Sequence, residues 1–241
     1  MTTQFHETGG QRLAYRHNEG AGSAVIFLPG YMSDMEGGKA TAVFDWCVRQ
    51  RRECLLLDYS GCGQSAGDFA NGTLSQWRDD VQTLIDEKVN ANDVIVIGSS
   101  MGGWLMLLVG MALGDRLHAL LGIAAAPDFS DWGFTEVQKN QLRAGTTIYE
   151  KNNYGYDPTP THAKFWQDAE SNRLLDGEIA ISVPVRLLHG QADTDVPHET
   201  SLRLAQALAS TDVQVTLVKG GDHRLSRDGD IALLLNMVDL L

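Results

Sequence analysis

Residues 93–113 read DVIVIGSSMGGWLMLLVGMAL, and this stretch decides the fold. Residues 94–97 are apolar and β-branched throughout, which is typical of a strand buried on both faces of a parallel sheet. Residues 104–113 are apolar nearly all round, which predicts a buried helix. Between them lies Gly98-Ser99-Ser100-Met101-Gly102. A strand, a tight glycine turn and a buried helix form the context that a G-x-S-x-G nucleophile elbow requires.

The two glycines of this motif have a physical reason. A serine on a sharp turn presents its hydroxyl above the carboxyl end of the sheet, where the backbone is strained and neighbouring side chains would collide with the adjoining strand and helix. Gly98 and Gly102 remove those collisions. The helix that starts just after Ser100 directs free N–H groups to the space beside the hydroxyl, where they would stabilise a negatively charged intermediate. The alternative is a glycine-rich turn with an uninvolved serine.

Length and charge exclude several classes of protein. The 241 residues suffice for one domain with a sizeable core, with or without an insertion. A net charge of −12 argues against nucleic-acid binding and against docking on anionic membranes. The three cysteines contain no C-x-x-C pair, so they predict a reducing compartment without disulfides or a zinc site. No secretory signal or membrane-spanning run is visible, and the sequence therefore predicts a cytoplasmic protein.

Strands and helices alternate along most of the chain, which predicts an α/β fold with a mostly parallel central sheet and helices on both faces. Residues 4–6 and 13–17 first form a predicted antiparallel hairpin around residues 7–11. The predicted strands are 24–28, 54–57, 94–97, 119–124, 185–188 and 213–218, and the first four of them are predicted to be buried. The predicted helices are 41–50, one capped by Thr73 and Gln76 with apolar Leu74, Trp77, Val81, Leu84 and Ile85, 104–113, one with Leu202, Ala205, Leu208 and Ala209 on one side, and 231–241.

Residues 129–180 break this alternation because they are richer in polar and aromatic residues. We expect a single domain over 1–241 in which 129–180 is a cap-like insertion over one end of the sheet. Holding the insertion on the main domain is the expected role of most of its aromatic side chains, and lining a substrate pocket is the alternative. These aromatic residues are Trp132, Phe134, Tyr149, Tyr154, Tyr156, Phe165 and Trp166.

A second glycine motif resembles a dinucleotide-binding fingerprint. Gly61-x-Gly63-x-x-Ala66 matches its relaxed form, and Asp80 lies at a suitable distance along the chain. That fingerprint needs a helix that opens directly from the glycines, whereas further glycine and polar residues here predict a continuing loop. The sequence therefore does not favour a nucleotide cofactor, and no other cofactor is indicated.

Three reactive groups follow three predicted strands of the same sheet: Ser100, an acid at Asp193 or Asp195, and His223. Loops at the carboxyl ends of such strands are where open α/β sheets place their sites. His223 can accept the serine proton and return it to a leaving group, and a buried carboxylate would orient the imidazole. Asp193 is favoured because it lies closer to its strand, and Asp195 is the alternative.

Other residues near these loops are expected to have supporting roles. Backbone N–H groups of Tyr31 and Met101 are expected to bind the oxyanion. His189 is expected to brace the acid loop, Asp222 to point away from His223, and Asp58 to tie its loop to the sheet. The other histidines show no metal-ligand spacing, so no metal is predicted. They are His6, His17, His118, His162 and His198.

The chain resembles the α/β-hydrolases over essentially its whole length, in chain order Ser, Asp, His. It is most similar to a branch of mitochondrial acyl-protein thioesterases, or depalmitoylases, and acyl-glucuronide esterases with bacterial relatives. The matching stretches are LPGYMSDMEGGKA, DYSGCGQSAG, GSSMGGWLML, PVRLLHGQADTDVP and GGDHR. The resemblance implies a triad of Ser100, Asp193 and His223, an oxyanion site at Tyr31 and Met101, and hydrolysis through an acyl-enzyme.

Three functions remain open at the level of sequence. The leading hypothesis is a serine esterase or thioesterase acting on a small-molecule acyl ester or thioester, or on an acylated protein. It involves no nucleic-acid partner and no stable membrane insertion. A carbon–carbon bond hydrolase or a peptidase could use the same elbow and triad. A ligand-binding protein without catalysis could also carry this fold.

Overall fold

The computed structural model describes residues 2–151, 155 and 157–241. Its strands are β1 (Gln4–Thr8), β2 (Gln11–Asn18), β3 (Ala21–Leu28), β4 (Arg52–Leu57), β5 (Val94–Ser99), β6 (Leu117–Ile123), β7 (Ile148–Glu150), β8 (Thr159–Thr161), β9 (Val185–Gly190) and β10 (Val213–Val218). Its helices are α1 (Gly38–Gln50), α2 (Leu74–Lys88), α3 (Met101–Leu113), α4 (Phe129–Trp132), α5 (Glu136–Arg143), α6 (Ala163–Ser171), α7 (Glu199–Ala207) and α8 (Asp228–Asp239).

Within the described residues the central sheet has eight strands in the order β1-β2-β4-β3-β5-β6-β9-β10. β1, β2 and β4 pair antiparallel, and all other neighbours in this sheet are parallel. This arrangement confirms the predicted α/β fold with a mostly parallel sheet. The predicted hairpin is present but longer, with both strands extending to the turn at Gly9 and Gly10.

The central strand β5 is buried on both faces, as its unbroken apolar run predicts. Val94 and Val96 pack in the core that includes side chains of α2 and α3. Ile95 and Ile97 point the other way, into the core formed with α1 and α8. Helix α3 itself is buried nearly all round, because it packs between the sheet and α2.

The register of the parallel strands brings three loops together at one edge. Leu28 of β3 pairs with Gly98 of β5, so the loop after β3 starts beside Ser100. Val218 of β10 pairs with Gly190 of β9, so the loops that carry Asp193 and His223 leave the sheet side by side. All these loops follow the carboxyl ends of their strands, where parallel sheets place their sites.

The predicted buried side of α7 is partly wrong. Leu202 is 41 % exposed and Ala209 is exposed, whereas Leu204 is fully buried. The helix ends at Ala207 and Leu208 is extended, so helical spacing does not carry on to 208 and 209. Helix α7 instead faces the core with Ser201 and Leu204, one turn apart.

The predicted start of α2 is half correct. Thr73 Oγ1 accepts a hydrogen bond from Gln76 N at 3.1 Å, which caps the helix. The Gln76 side chain does not return the bond as a full capping box would, because its amide donates to Asp80 Oδ1 at 2.9 Å.

The region between β6 and β9 contains α4, α5, α6 and the antiparallel pair β7–β8. Phe134 and Trp166 pack with Leu142 and Ile148 in a small core, and Phe165 packs in the main core. Tyr149 is 68 % exposed. Tyr154 and Tyr156, which the sequence analysis grouped with these aromatics, lie outside the described residues.

No helix in the part of the chain that the structure describes has the length and apolarity needed to cross a bilayer.

Candidate active site

Ser100 lies on a strained turn between β5 and α3. Its φ of 56° and ψ of −121° are unfavourable for a residue with a side chain. The surrounding backbone holds this conformation: Ser100 N donates to Ile123 O at 2.9 Å, and Ser100 O accepts from Gly103 N at 2.8 Å and Ala126 N at 3.0 Å. The serine is thus fixed where the sequence predicts a nucleophile elbow.

Close packing explains both glycines of the elbow. A Cβ atom on Gly98 would collide with the backbone of Gly102, and one on Gly102 would collide with the carbonyl groups of Leu28 and Pro29. The two glycines therefore allow α3 to pack directly against β5 and against the end of β3. This is the physical role that the sequence analysis gives them.

We expect Gly102→Ala to destabilise the protein by about 3 kcal/mol, because the new methyl group meets backbone rather than a movable side chain. Urea unfolding followed by circular dichroism would measure this loss. Gly177→Ala is the matched control, since a Cβ there has no neighbouring atom within 4 Å. Equal unfolding midpoints for the two variants would contradict this explanation.

Ser100, His223 and Asp193 form one chain of hydrogen bonds. His223 Nε2 lies 3.1 Å from Ser100 Oγ, and His223 Nδ1 lies 2.8 Å from Asp193 Oδ2. An ionised carboxylate only accepts hydrogen bonds, so Nδ1 carries the proton and Nε2 accepts from the serine hydroxyl. In this tautomer His223 is ready to take the serine proton.

The Asp193 carboxylate is surrounded by donors. Its side chain is 0 % exposed, and Oδ1 accepts from Asp195 N at 2.8 Å and Val196 N at 2.9 Å. Burial alone would raise the pKa of Asp193, but hydrogen bonds from His189 and His223 outweigh it and hold the pKa well below its usual range. The carboxylate therefore stays ionised at neutral and mildly acidic pH.

His189 braces this acid loop, as expected. It is fully buried, and its Nε2 lies 3.1 Å from Val196 O and 3.2 Å from Asp193 Oδ2. Both neighbours are acceptors, so Nε2 carries the proton and Nδ1 accepts from the Ser201 hydroxyl at 2.7 Å. The sequence does not indicate this role of Ser201, because nothing in the pattern of α7 shows which polar residue faces inward.

The structure brings Asp193, not Asp195, against His223. Asp195 is exposed and lines the cavity beside the site. The Asp222 side chain accepts from Leu225 N at 3.0 Å and so points away from His223, as expected. Among the described residues no group of three or more His, Cys, Asp or Glu side chains is placed to hold a metal ion.

Two backbone amides lie beside the serine. Met101 is the first residue of α3, so its N–H group has no acceptor inside the helix. The loop with Tyr31 passes close to Ser100: a Cβ atom built on Gly30 would lie 3.3 Å from Ser100 Cβ. Both positions suit the predicted oxyanion donors, and that role stays a prediction.

A cavity of about 830 Å³ opens above Ser100 and His223. Its wall mixes charged and apolar groups from both sides of the site. The lining residues include Met32, Lys39, Lys151, Asp157, Asp195 and Arg224. The sequence does not indicate that Lys39 and Arg224 face this cavity, because each lies in a polar loop or at a helix end, where the pattern does not reveal side-chain direction.

The second glycine motif is not followed directly by the helix that a dinucleotide-binding fingerprint requires. Residues after Gly61 remain in a loop until the short 3₁₀ turn Phe69–Asn71, and Asp80 accepts from Ser60 N at 2.8 Å instead of facing a ligand. Asp58 ties its loop down, as expected: Oδ2 accepts from Gln64 N, and its own N–H donates to Ala14 O of β2.

Comparison with known proteins identifies relatives of the whole chain. Residues 25–232 match the sequence profile of the alpha/beta hydrolase family. The palmitoyl-protein thioesterase ABHD10, mitochondrial, of Mus musculus is 40 % identical over 233 residues, which cover 94 % of this chain and 77 % of the mouse protein.

Two solved structures have the same architecture. The alpha/beta hydrolase domain-containing protein 10 from mouse superposes with a TM-score of 0.91 at 36 % identity, covering 99 % of this chain and 97 % of that one. A protein from Agrobacterium vitis S4 superposes equally well, with a TM-score of 0.91 at 31 % identity, 100 % coverage of this chain and 99 % of the other. The chain therefore belongs to the alpha/beta hydrolase family.

Proposed function

We propose that this protein is a serine hydrolase that cleaves carboxylic esters and acyl thioesters through an acyl-enzyme on Ser100. The observation that carries the proposal is the hydrogen-bonded chain from the Ser100 hydroxyl through His223 to the Asp193 carboxylate. A serine is a weak nucleophile as a neutral alcohol, and a neighbouring imidazole in the correct tautomer is what activates it.

In the first half of the reaction, Ser100 Oγ attacks the acyl carbon while His223 Nε2 takes the hydroxyl proton. The acyl oxygen becomes an oxyanion, and the amides of Tyr31 and Met101 donate hydrogen bonds to it. When the tetrahedral intermediate collapses, the bond from acyl carbon to sulfur or oxygen breaks. His223 returns its proton to the leaving thiol or alcohol, which leaves the acyl group on Ser100.

In the second half, water attacks the acyl-enzyme and gives a proton to His223 Nε2. Collapse of this intermediate breaks the Ser100 ester, and the proton returns to Ser100 Oγ. The carboxylic acid then leaves. Asp193 keeps its charge throughout, because its role is to hold the imidazole and to stabilise the imidazolium form.

Two observations support acyl thioesters of a bulky or polar leaving group as substrates. The related mammalian protein is named a palmitoyl-protein thioesterase. The cavity of about 830 Å³ is also lined in part by charged groups such as Lys39 and Asp195. We therefore propose an acylated protein or another polar acyl carrier as the substrate. The net charge of −12 supports the further proposal that there is no nucleic-acid partner.

We separately propose that the protein works in a reducing compartment. All three cysteines are buried as free thiols, which supports a reducing compartment such as the cytoplasm. The mouse relative carries the word mitochondrial in its name.

The substrate class is tested with two matched series, p-nitrophenyl esters and acyl thioesters, with chains from acetyl to palmitoyl. We expect turnover of both series by the wild type and none above background by Ser100→Ala. We further expect kcat/KM for a palmitoylated peptide to exceed that for p-nitrophenyl palmitate by about ten-fold, because binding of the peptide away from the reacting bond raises kcat/KM. If neither series is turned over, the proposed function is wrong; if the two palmitoyl substrates react equally, the proposed leaving group is wrong.

A further inference from the structure

The loop between β3 and α1 carries the amide of Tyr31 and is held from outside by residues that follow β4. At its start, Tyr59 Oη donates to Pro29 O at 2.9 Å. At its far end, Met35 N donates to Asp58 Oδ1 at 2.8 Å. Tyr59 and Asp58, which follow β4, thus fix the two ends of this loop.

Both anchoring side chains are removed from solvent. Tyr59 is 0 % exposed and Asp58 is 1 % exposed. The Tyr59 ring stacks on Trp77 with centroids 5.4 Å apart, which fixes the position of its hydroxyl. Burial raises the pKa of Asp58, but the N–H groups of Gln64 and Met35 stabilise its ionised form.

The glycine motif that resembled a nucleotide fingerprint has a role in this arrangement. A Cβ atom on Gly63 would collide with the Asp58 carboxylate, and Gly63 has a φ of +50°. Glycine at this position lets the loop wrap around the carboxylate, so that Gln64 N reaches Asp58 Oδ2 at 2.8 Å. The second oxygen of Asp58 is therefore free to accept from Met35.

The orientation of the Tyr31 amide depends on this loop. Gly30 O accepts from Ser33 N at 3.1 Å. In a trans peptide the N–H group points opposite to the carbonyl, so Tyr31 N–H points away from Ser33. The carbonyl of Pro29, which Tyr59 holds, also packs against Gly102 beneath the nucleophile. A shift of either end of the loop would turn the amide of Tyr31.

We propose that Asp58 and Tyr59 are positioning residues that hold the Tyr31 amide where the oxyanion forms. This inference rests on the proposed function, because it concerns the oxyanion site of that reaction. Neither residue lines the cavity above Ser100. Their effect is on the transition state, since preorganised donors act most strongly where charge develops.

Tyr59→Phe removes only the hydroxyl, and Asp58→Asn leaves one acceptor oxygen for two N–H groups. We expect each variant of the full chain to lower kcat for the best ester substrate by about ten-fold with KM within about two-fold, because the lost stabilisation is specific to the transition state. The inhibition constant of a trifluoromethyl ketone, whose adduct with Ser100 carries an oxyanion, should rise by the same factor.

Two matched controls separate positioning from general stability. Tyr15 is also buried, and its hydroxyl bonds Gln4 Oε1 in the edge hairpin, so the control for Tyr59 is Tyr15→Phe. Glu53 lies near the other end of β4, and its buried carboxylate accepts from Asn90 N and Ala91 N, so Glu53→Gln is the control for Asp58. Both controls should keep kcat and the inhibition constant.

The inference is overturned if the two variants keep kcat within about two-fold of their controls, or if kcat falls without a rise in the inhibition constant. Amide hydrogen exchange of residues 30–35 gives a reading that does not need turnover. If wild type and Ser100→Ala are equally inactive, the proposed function fails. Faster exchange in Tyr59→Phe than in Tyr15→Phe would then still support the positioning of this loop by Tyr59, and equal exchange would overturn it.

Discussion

Replacing Ser100 with alanine is expected to reduce kcat/KM for any substrate ester by at least about 10⁴-fold, because the acyl-enzyme can no longer form. Ser100 Oγ lies 3.1 Å from His223 Nε2, and neighbouring backbone hydrogen bonds hold the strained turn in place. Steady-state kinetics with a chromogenic ester measures the loss, and the melting temperature shows whether the variant is folded.

The neighbouring serine provides the control for this prediction. Ser99 ends β5 in the same motif and is 8 % exposed, but no hydrogen bond of the described structure joins it to His223. We expect Ser99→Ala to retain activity within about five-fold of the wild type. An equal loss in both variants would show that the motif matters for folding and not for nucleophilic attack by Ser100.

Asp193→Asn should be almost as damaging and should lower kcat by about 10³- to 10⁴-fold. An asparagine amide placed against His223 Nδ1 favours the tautomer with its proton on Nε2, which cannot accept the serine proton. It also removes the negative charge that stabilises the imidazolium. The same kinetic assay measures this effect, and KM should change much less than kcat.

Asp195→Asn tests whether the correct acid is identified. Asp195 is the alternative that the sequence leaves open, and in the structure it lines the cavity without contacting His223 through any described hydrogen bond. We expect kcat of this variant to stay within about three-fold of the wild-type value, and we expect the effect of the substitution to fall on KM. If Asp195→Asn loses kcat while Asp193→Asn does not, the acid is Asp195 and the geometry at His223 is misinterpreted.

The sequence predicts the part of this structure that local patterns control. The unbroken β-branched run of β5 cannot tolerate water on either face, and two glycines around Ser100 are needed wherever helix and strand approach so closely. Because parallel strands place their following loops at one edge, Ser100 and His223 could be expected to meet.

Side-chain directions in loops were less predictable. The choice between Asp193 and Asp195 depends on a turn in which the Asp193 carboxylate caps two following N–H groups, which spacing alone does not reveal. The inward side of α7 follows from the contact between Ser201 and His189 and not from apolar periodicity. The acid was thus decided by hydrogen bonds within its own turn, and the inward side of α7 by a hydrogen bond to another element of the fold.

The motif from Asp58 to Ala66 also shows that a local pattern does not reveal which group the backbone approaches. Its glycines match a nucleotide fingerprint, yet Gly63 serves to wrap the backbone around Asp58. A glycine pattern indicates close approach of the backbone to some group. Only the structure shows that this group is a carboxylate of the same chain.

The central claim is that His223 activates the Ser100 hydroxyl for attack on an acyl carbon. The most direct test is labelling with a fluorophosphonate probe, followed by mass spectrometry of the peptides. We predict a single modified residue, Ser100, with labelling slowed at least about 100-fold in His223→Ala. Absence of labelling in the folded wild type, or modification at another residue with the same rate in both proteins, would contradict it.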